Sequence, residues 1–128
     1  MKSEAAIQND VRLEASKLGI YLWRNNVGAH KTDTGFIRYG LANDSAATNK
    51  TMKSADLIGI RPLVITLDHV GMTVGQFVSR EIKQEGWAFR GTERELSQER
   101  WAKLIASLGG DAAFASGVGT FNTCLRGQ

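Results

Sequence analysis

Apolar residues recur at spacings of four, four and three in Ile7, Val11, Ala15 and Leu18, which predicts a helix over residues 3–18. Ser3 is placed to cap its start and Gly19 to stop it. Ile20 to Trp23 is short, apolar and aromatic, a strand pattern. From Asn25 to Lys53 the chain turns to Asn, Gly, Thr, Asp and Lys, with one brief strand at Phe36-Ile37-Arg38-Tyr39. This stretch reads as a long loop, and long loops in compact domains tend to be functional or mobile. Ala55 to Ile60 reads as a strand, parted by Arg61-Pro62 from a second short strand, Leu63-Val64-Ile65. A turn at Gly71 to Gly75 leads into a strong strand pattern from Gln76 to Lys83, and Gly86 and Gly91 bracket another loop. Helical period returns over residues 96–108, with Trp101, Leu104, Ile105 and Leu108 on one face and Gly109-Gly110 closing it. Asp111 to Ser116 fits a last strand. The expected architecture is a single domain over residues 1–128 of the α/β class, a mixed sheet covered by helices.

Composition narrows the function classes. A hydrophobic fraction of 42% with 23% charged residues suits a globular core and excludes a disordered or fibrous chain. The net charge of +3 and pI near 9.2 lean the surface toward a polyanionic partner. A lone cysteine, Cys124, excludes an internal disulfide, and with only His30 and His69 beside it a zinc site of the usual type is not expected. Met1-Lys2-Ser3-Glu4 turns polar at once, and no apolar run approaches the roughly 20 residues that span a bilayer. The expectation is a soluble protein of the cytoplasm, bacterial or phage-infected, with no membrane partner.

Four polar positions break the apolar pattern in an informative way. Glu4 lies three residues before Ile7 and seven before Val11, on the apolar face of the first helix. Gln98 lies three before Trp101 and seven before Ile105, on the apolar face of the late one. Alternation along Phe77-Val78-Ser79-Arg80-Glu81-Ile82-Lys83 puts Glu81 and Lys83 on one side, and Asp56 opens the strand Asp56-Leu57-Ile58-Gly59-Ile60. Each placement alone is ordinary for a charge at an element's end. Together they form a set with a chemistry. Two carboxylates suit Mg²⁺ or Mn²⁺, which prefer hard oxygen ligands. A lysine two residues beyond the second carboxylate brings a positive charge for the water or phosphate of a hydrolysis, and the Ile82 carbonyl lies between the two side chains in sequence.

Ser54-Ala55-Asp56-Leu57-Ile58-Gly59 followed by Glu81-Ile82-Lys83 resembles the PD-(D/E)XK nuclease signature. The wider set resembles the VRR-NUC (virus-type replication-repair nuclease) branch. It includes Glu4, Trp23-Arg24-Asn25-Asn26 with Gly28, Gln98, and the Gly109-Gly110-Asp111-Ala112 turn, and it spans residues 4–116. The chain departs from that pattern in a long Thr32–Lys53 insertion and in lacking a proline before Asp56. The resemblance implies a restriction-endonuclease-like core with a mixed central sheet flanked by helices. It implies a Mg²⁺- or Mn²⁺-dependent DNA endonuclease, with Asp56, Glu81 and the Ile82 carbonyl as metal ligands and Lys83 as catalyst. Glu4 and Gln98 would support the same centre. It further implies a homodimer acting on branched DNA, as viral Holliday-junction resolvases in DNA repair do. The competing expectation is a non-catalytic nucleic-acid-binding or assembly module that keeps such a fold.

Arg24, Lys31, Arg38, Lys50 and Lys53 surround the long loop and are the candidate DNA phosphate contacts. The Arg90 to Arg100 charge run reads as a solvated loop and helix start, with Arg94 and Arg100 as residues that could border the DNA groove. Trp23, Trp87 and Trp101 read as packing residues, with Trp87 the one worth testing as a base-stacking platform. Met72, Val74, Phe114 and Phe121 are apolar positions left over for a dimer interface.

Overall fold

A computed structural model describes residues 1–121, so Cys124 lies outside the described residues. The chain forms two compact units, Met1–Arg61 and Pro62–Gln128. Both mix helices with short strands, and the protein is of the α/β class.

The first unit runs α1 (Glu4–Lys17), β1 (Tyr21–Arg24), β2 (Gly28–Thr32), β3 (Gly35–Tyr39), α2 (Ala46–Thr51) and β4 (Leu57–Ile60). Helix α1 starts where the Ser3 hydroxyl accepts from the Ala6 N–H at 3.2 Å. It ends where Gly19 takes the left-handed conformation at φ 73°. Of its apolar stripe only Ala15 is buried; Ile7 and Val11 stay 49% and 41% exposed and line an open groove. Strands β1 and β4 pair antiparallel, with Leu22 opposite Gly59. A Cβ at Gly59 would collide with the Tyr21 carbonyl, so this close strand approach requires glycine.

The segment expected to be a long loop is mostly ordered. Strands β2 and β3 form an antiparallel hairpin turning at Asp33-Thr34, and α2 follows with Ser45 as its cap. What orders it is not apolar burial but Asn43, at 2% exposure. Its amide nitrogen donates to the Gly28 and Tyr39 carbonyls at 2.7 and 3.0 Å. Its oxygen accepts from Arg38 and Asn49 at 3.2 and 3.0 Å. All the hydrogen-bonding capacity of one buried amide is thus spent tying the hairpin's open end to α2.

In the second unit the expected Leu63-Val64-Ile65 strand is absent; the three residues are exposed and a single 3₁₀ turn, Leu67–His69, follows. Pro62 offers no backbone donor just ahead of the run, which lacks a ladder partner. Strand β5 (Val78–Ile82), helix α3 (Glu93–Ser107) and strand β6 (Asp111–Ala115) make a β-α-β crossover, with β5 and β6 parallel. Helix α3 begins earlier than its apolar stripe suggests. Thr92 and Glu95 form a reciprocal capping box that fixes the start at Glu93. Ile105 is fully buried at the centre of this unit. The Arg80 guanidinium pairs with Asp111 at 2.7 Å, bonds Thr120, and lies 4.2 Å from the Phe121 ring centre, which fastens the following segment to the ladder. Hydrogen bonding among the described strands gives three two-stranded ladders: β1–β4, β2–β3 and β5–β6. No helix among the described residues is long and apolar enough to cross a membrane.

Candidate active site

Alternation along β5 puts Ser79, Glu81 and Lys83 on one side, in register with Ala112 and Phe114 of β6. Helix α3 lays Gln98 and Trp101 against that side. The Gln98 amide nitrogen donates to Glu81 Oε1 at 2.7 Å, and its oxygen accepts from Lys83 Nζ at 2.8 Å. A primary amide is the side chain suited to this place, because one end donates to an anion while the other accepts from a cation. Carboxylate and ammonium are held together on a common bridge. Glu81, Gln98, Ser79, Trp101 and Phe114 line a cavity of about 370 Å³, where the Trp101 indole donates to the Ser79 hydroxyl at 2.9 Å.

Lys83 is fixed at both ends. Its backbone N–H donates to the Ala115 carbonyl at 2.8 Å. Its ammonium lies 5.5 Å from the Trp87 ring centre and 5.6 Å from that of Phe114, within reach of a cation–π attraction. Trp87 and Phe114 are themselves packed together, centres 4.9 Å apart. Trp87 packs, as expected of the tryptophans, and forms an aromatic wall beside Lys83; Phe114 belongs to that wall rather than to a spare surface, which corrects one expectation.

Glu95 corrects a second. Read as part of a solvated charge run, it is 6% exposed. It accepts from the Trp87 indole at 2.8 Å, from the Arg90 and Thr92 N–H groups at 3.1 Å each, and from the Thr92 hydroxyl at 3.2 Å. Burial by itself raises its carboxyl pKa, but the backbone bonds from Thr92 and Arg90 and the side-chain bonds from Trp87 and Thr92 outweigh that and hold it below the usual glutamate range. A depressed folded value contributes stability that is complete above the unfolded pKa and lost as pH falls through the folded one. Between about pH 6 and about pH 3 the melting temperature of the wild type should therefore fall more steeply than that of Glu95→Gln. Parallel melting curves of the two proteins across that window would refute the role given to this carboxylate.

The other two candidate site acids, Asp56 and Glu4, lie in the first unit. Asp56 stands exposed immediately before β4, and Glu4 opens α1; both line a groove of about 530 Å³ with Ile7, Gln8, Val11 and Leu57. Asn25, not singled out as a site residue from the sequence, fixes the backbone around Asp56. Its N–H donates to the Asp56 carbonyl at 2.8 Å, while its side-chain amide donates to the Ser54 hydroxyl and the Ala55 carbonyl, each at 2.8 Å. The Trp23-Arg24-Asn25-Asn26 run that carries part of the resemblance was the available signal. The structure thus groups Glu4 with Asp56 in the first unit, and Glu81, Ile82, Lys83 and Gln98 in the second.

No protein-family model, curated protein or solved structure matches this chain. What the groups can do therefore follows from their chemistry. Among the described residues no three His, Cys, Asp or Glu side chains gather as a ready metal cage. The oxygen donors present are the hard kind that Mg²⁺ and Mn²⁺ take, and Mg²⁺ commonly binds through one or two carboxylates while keeping several waters.

The expected phosphate contacts divide in two. Arg24, Lys31 and Lys50 are exposed. Arg38 is half-buried with a guanidinium bond to Asn43, and Lys53 donates to the Asn49 carbonyl and side chain at 3.1 and 2.7 Å. His30 is exposed, and His69 Nδ1 accepts from the Thr66 N–H at 2.9 Å as part of its turn.

Proposed function

We propose that this chain is a Mg²⁺- or Mn²⁺-dependent endonuclease of the PD-(D/E)XK type, close to the VRR-NUC branch, that hydrolyses phosphodiester bonds in branched DNA. A restriction-endonuclease-like core, with its strands in one mixed central sheet, is the finer fold that goes with this reading. The observation that carries it is the Gln98 bridge between Glu81 and Lys83, which keeps an anion and a cation side by side at the end of β5. Asp56, Glu81 and the Ile82 carbonyl are the groups assigned to the metal. When bound, a divalent ion supplies Lewis-acid polarisation of the scissile phosphate. Lys83 has three ammonium donors, one of them spent on Gln98, so the others can meet the attacking water and the charge that develops on phosphorus oxygens. Gln98 keeps that ammonium aimed. Glu4, in the groove beside Asp56, acts as a supporting group.

A labelled four-way junction incubated with and without Mg²⁺ tests the reading, and nicking that requires the ion is the expected result. Symmetric resolution needs two cuts, so a homodimer is part of the proposal, checked by sedimentation equilibrium at micromolar concentration. Met72, Val74 and Phe121 keep exposed apolar surface for it. A second reading is a nucleic-acid-binding module without catalysis, favoured by the five Lys and Arg residues between Arg24 and Lys53, which binding alone accounts for. Junction binding with no nicking in either Mg²⁺ or Mn²⁺ would select it.

A further inference from the structure

The whole of the chain's excess positive charge lies between Arg24 and Lys53. That stretch holds five Lys and Arg residues against two Asp, while acids and bases elsewhere are equal in number. Within it, the β2–β3 hairpin carries an unusual face. Register pairs Lys31 with Phe36 and Ala29 with Arg38, so Phe36 shares its face with Lys31 directly opposite and Arg38 two residues along. Phe36 is 68% exposed, next to the turn at Asp33-Thr34. An aromatic ring that covered a protein core would have apolar neighbours on its face. This one has a cation on either side. The other end of the hairpin is fixed by the buried Asn43 amide, so the exposed ring sits on an anchored element.

A planar apolar ring flanked by cations suits a ligand that presents a π-face between negative charges, and unpaired nucleotides are that ligand. Stacking on an aromatic side chain is tolerant of base identity, and the flanking cations meet the adjoining phosphates. We propose that the β2–β3 hairpin is a nucleic-acid-engaging wing, in which Phe36 stacks on an unpaired base while Lys31, and Arg38 through the guanidinium N–H groups not bonded to Asn43, contact its neighbouring phosphates. The wing rests on the nucleic-acid partner of the reading above but not on cutting. It gives that reading a substrate class, DNA with unpaired or splayed nucleotides rather than continuous duplex.

The test measures binding by fluorescence anisotropy in EDTA, using a linear duplex and a duplex with an unpaired loop that carries 2-aminopurine. Phe36→Ala should weaken binding to the looped DNA by roughly tenfold and abolish 2-aminopurine quenching, with duplex affinity within about twofold of wild type. Phe36→Trp should restore both. Equal affinities of wild type and Phe36→Ala for looped DNA would overturn the wing, as would an equal loss on both DNAs. A change in sedimentation of Phe36→Ala would overturn it too, because the ring would then be covering protein. Nicking of the looped DNA by the wild type in Mg²⁺ is scored separately. A wing that stacks on a protein that never cuts refutes the nuclease and leaves the wing standing. Metal-dependent cutting with an inert Phe36 does the reverse.

Discussion

Alanine at Lys83 is expected to lower metal-dependent cleavage of a four-way junction by about a thousandfold or more, with the fold retained. The methyl group removes the ammonium that Gln98 and the Trp87–Phe114 wall hold in place. Ser79 and Glu81, the other side chains on that side of β5, carry no positive charge to stabilise the phosphorus oxygens. Asp56→Ala and Glu81→Ala should be comparably severe, because each removes an assigned metal ligand. Gln98→Ala should cost less, about 10- to 100-fold, the range for a group that orients another rather than reacting. Glu4→Ala belongs in the same milder class. Single-turnover cleavage at saturating enzyme, with circular dichroism to verify folding, separates the two classes. Substantial cutting by any of the three severe variants would break the assignment. A Glu4→Ala loss as deep as that of Glu81→Ala would move Glu4 into direct contact with the ion or the DNA.

The parts of this fold legible in the sequence are those fixed by local pattern. Helix α1 shows its cap, stripe and glycine stop within residues 3–19, and β5, α3 and β6 each carry a period of their own. The same periodicity put Glu81 and Lys83 on one side and Gln98 on the facing stripe of α3, and the hydrogen bonds among the three agree with it. The start of α3 was also available, since Thr92 and Glu95 are a capping-box spacing, but the apolar stripe begins later.

What escaped the sequence depends on contacts distant along the chain. Strand β2 reads Gly-Ala-His-Lys-Thr, with no apolar alternation, because its hairpin is ordered by Asn43 reaching back 15 residues to Gly28. Glu95 looks like one more surface acid until the Trp87 indole and the Arg90 N–H close over it. Leu63-Val64-Ile65 has strand composition without a strand, because β-propensity reports fit to a partner surface and none pairs with it here.

Binding of uncut junction DNA by the Lys83→Ala protein should fall steeply with salt, and the steepness should count the phosphate contacts. Each contact to B-DNA contributes about −0.9 to the slope of log affinity against log salt. Were all five cations between Arg24 and Lys53 fully engaged, raising salt from about 50 to about 200 mM would weaken binding roughly 500-fold. The structure assigns internal bonds to two of them: Arg38 to Asn43, and Lys53 to Asn49. With only the exposed Arg24, Lys31 and Lys50 releasing counterions, the same change would cost roughly 40-fold. The measured slope should fall between these limits, and it should become shallower by about one unit in Lys31→Ala or Lys50→Ala. Asn43→Ala is expected to act differently, loosening the hairpin and lowering affinity at every salt concentration without a one-unit change in slope. An affinity that stays level across that salt range would exclude a phosphate backbone as the ligand of this basic segment.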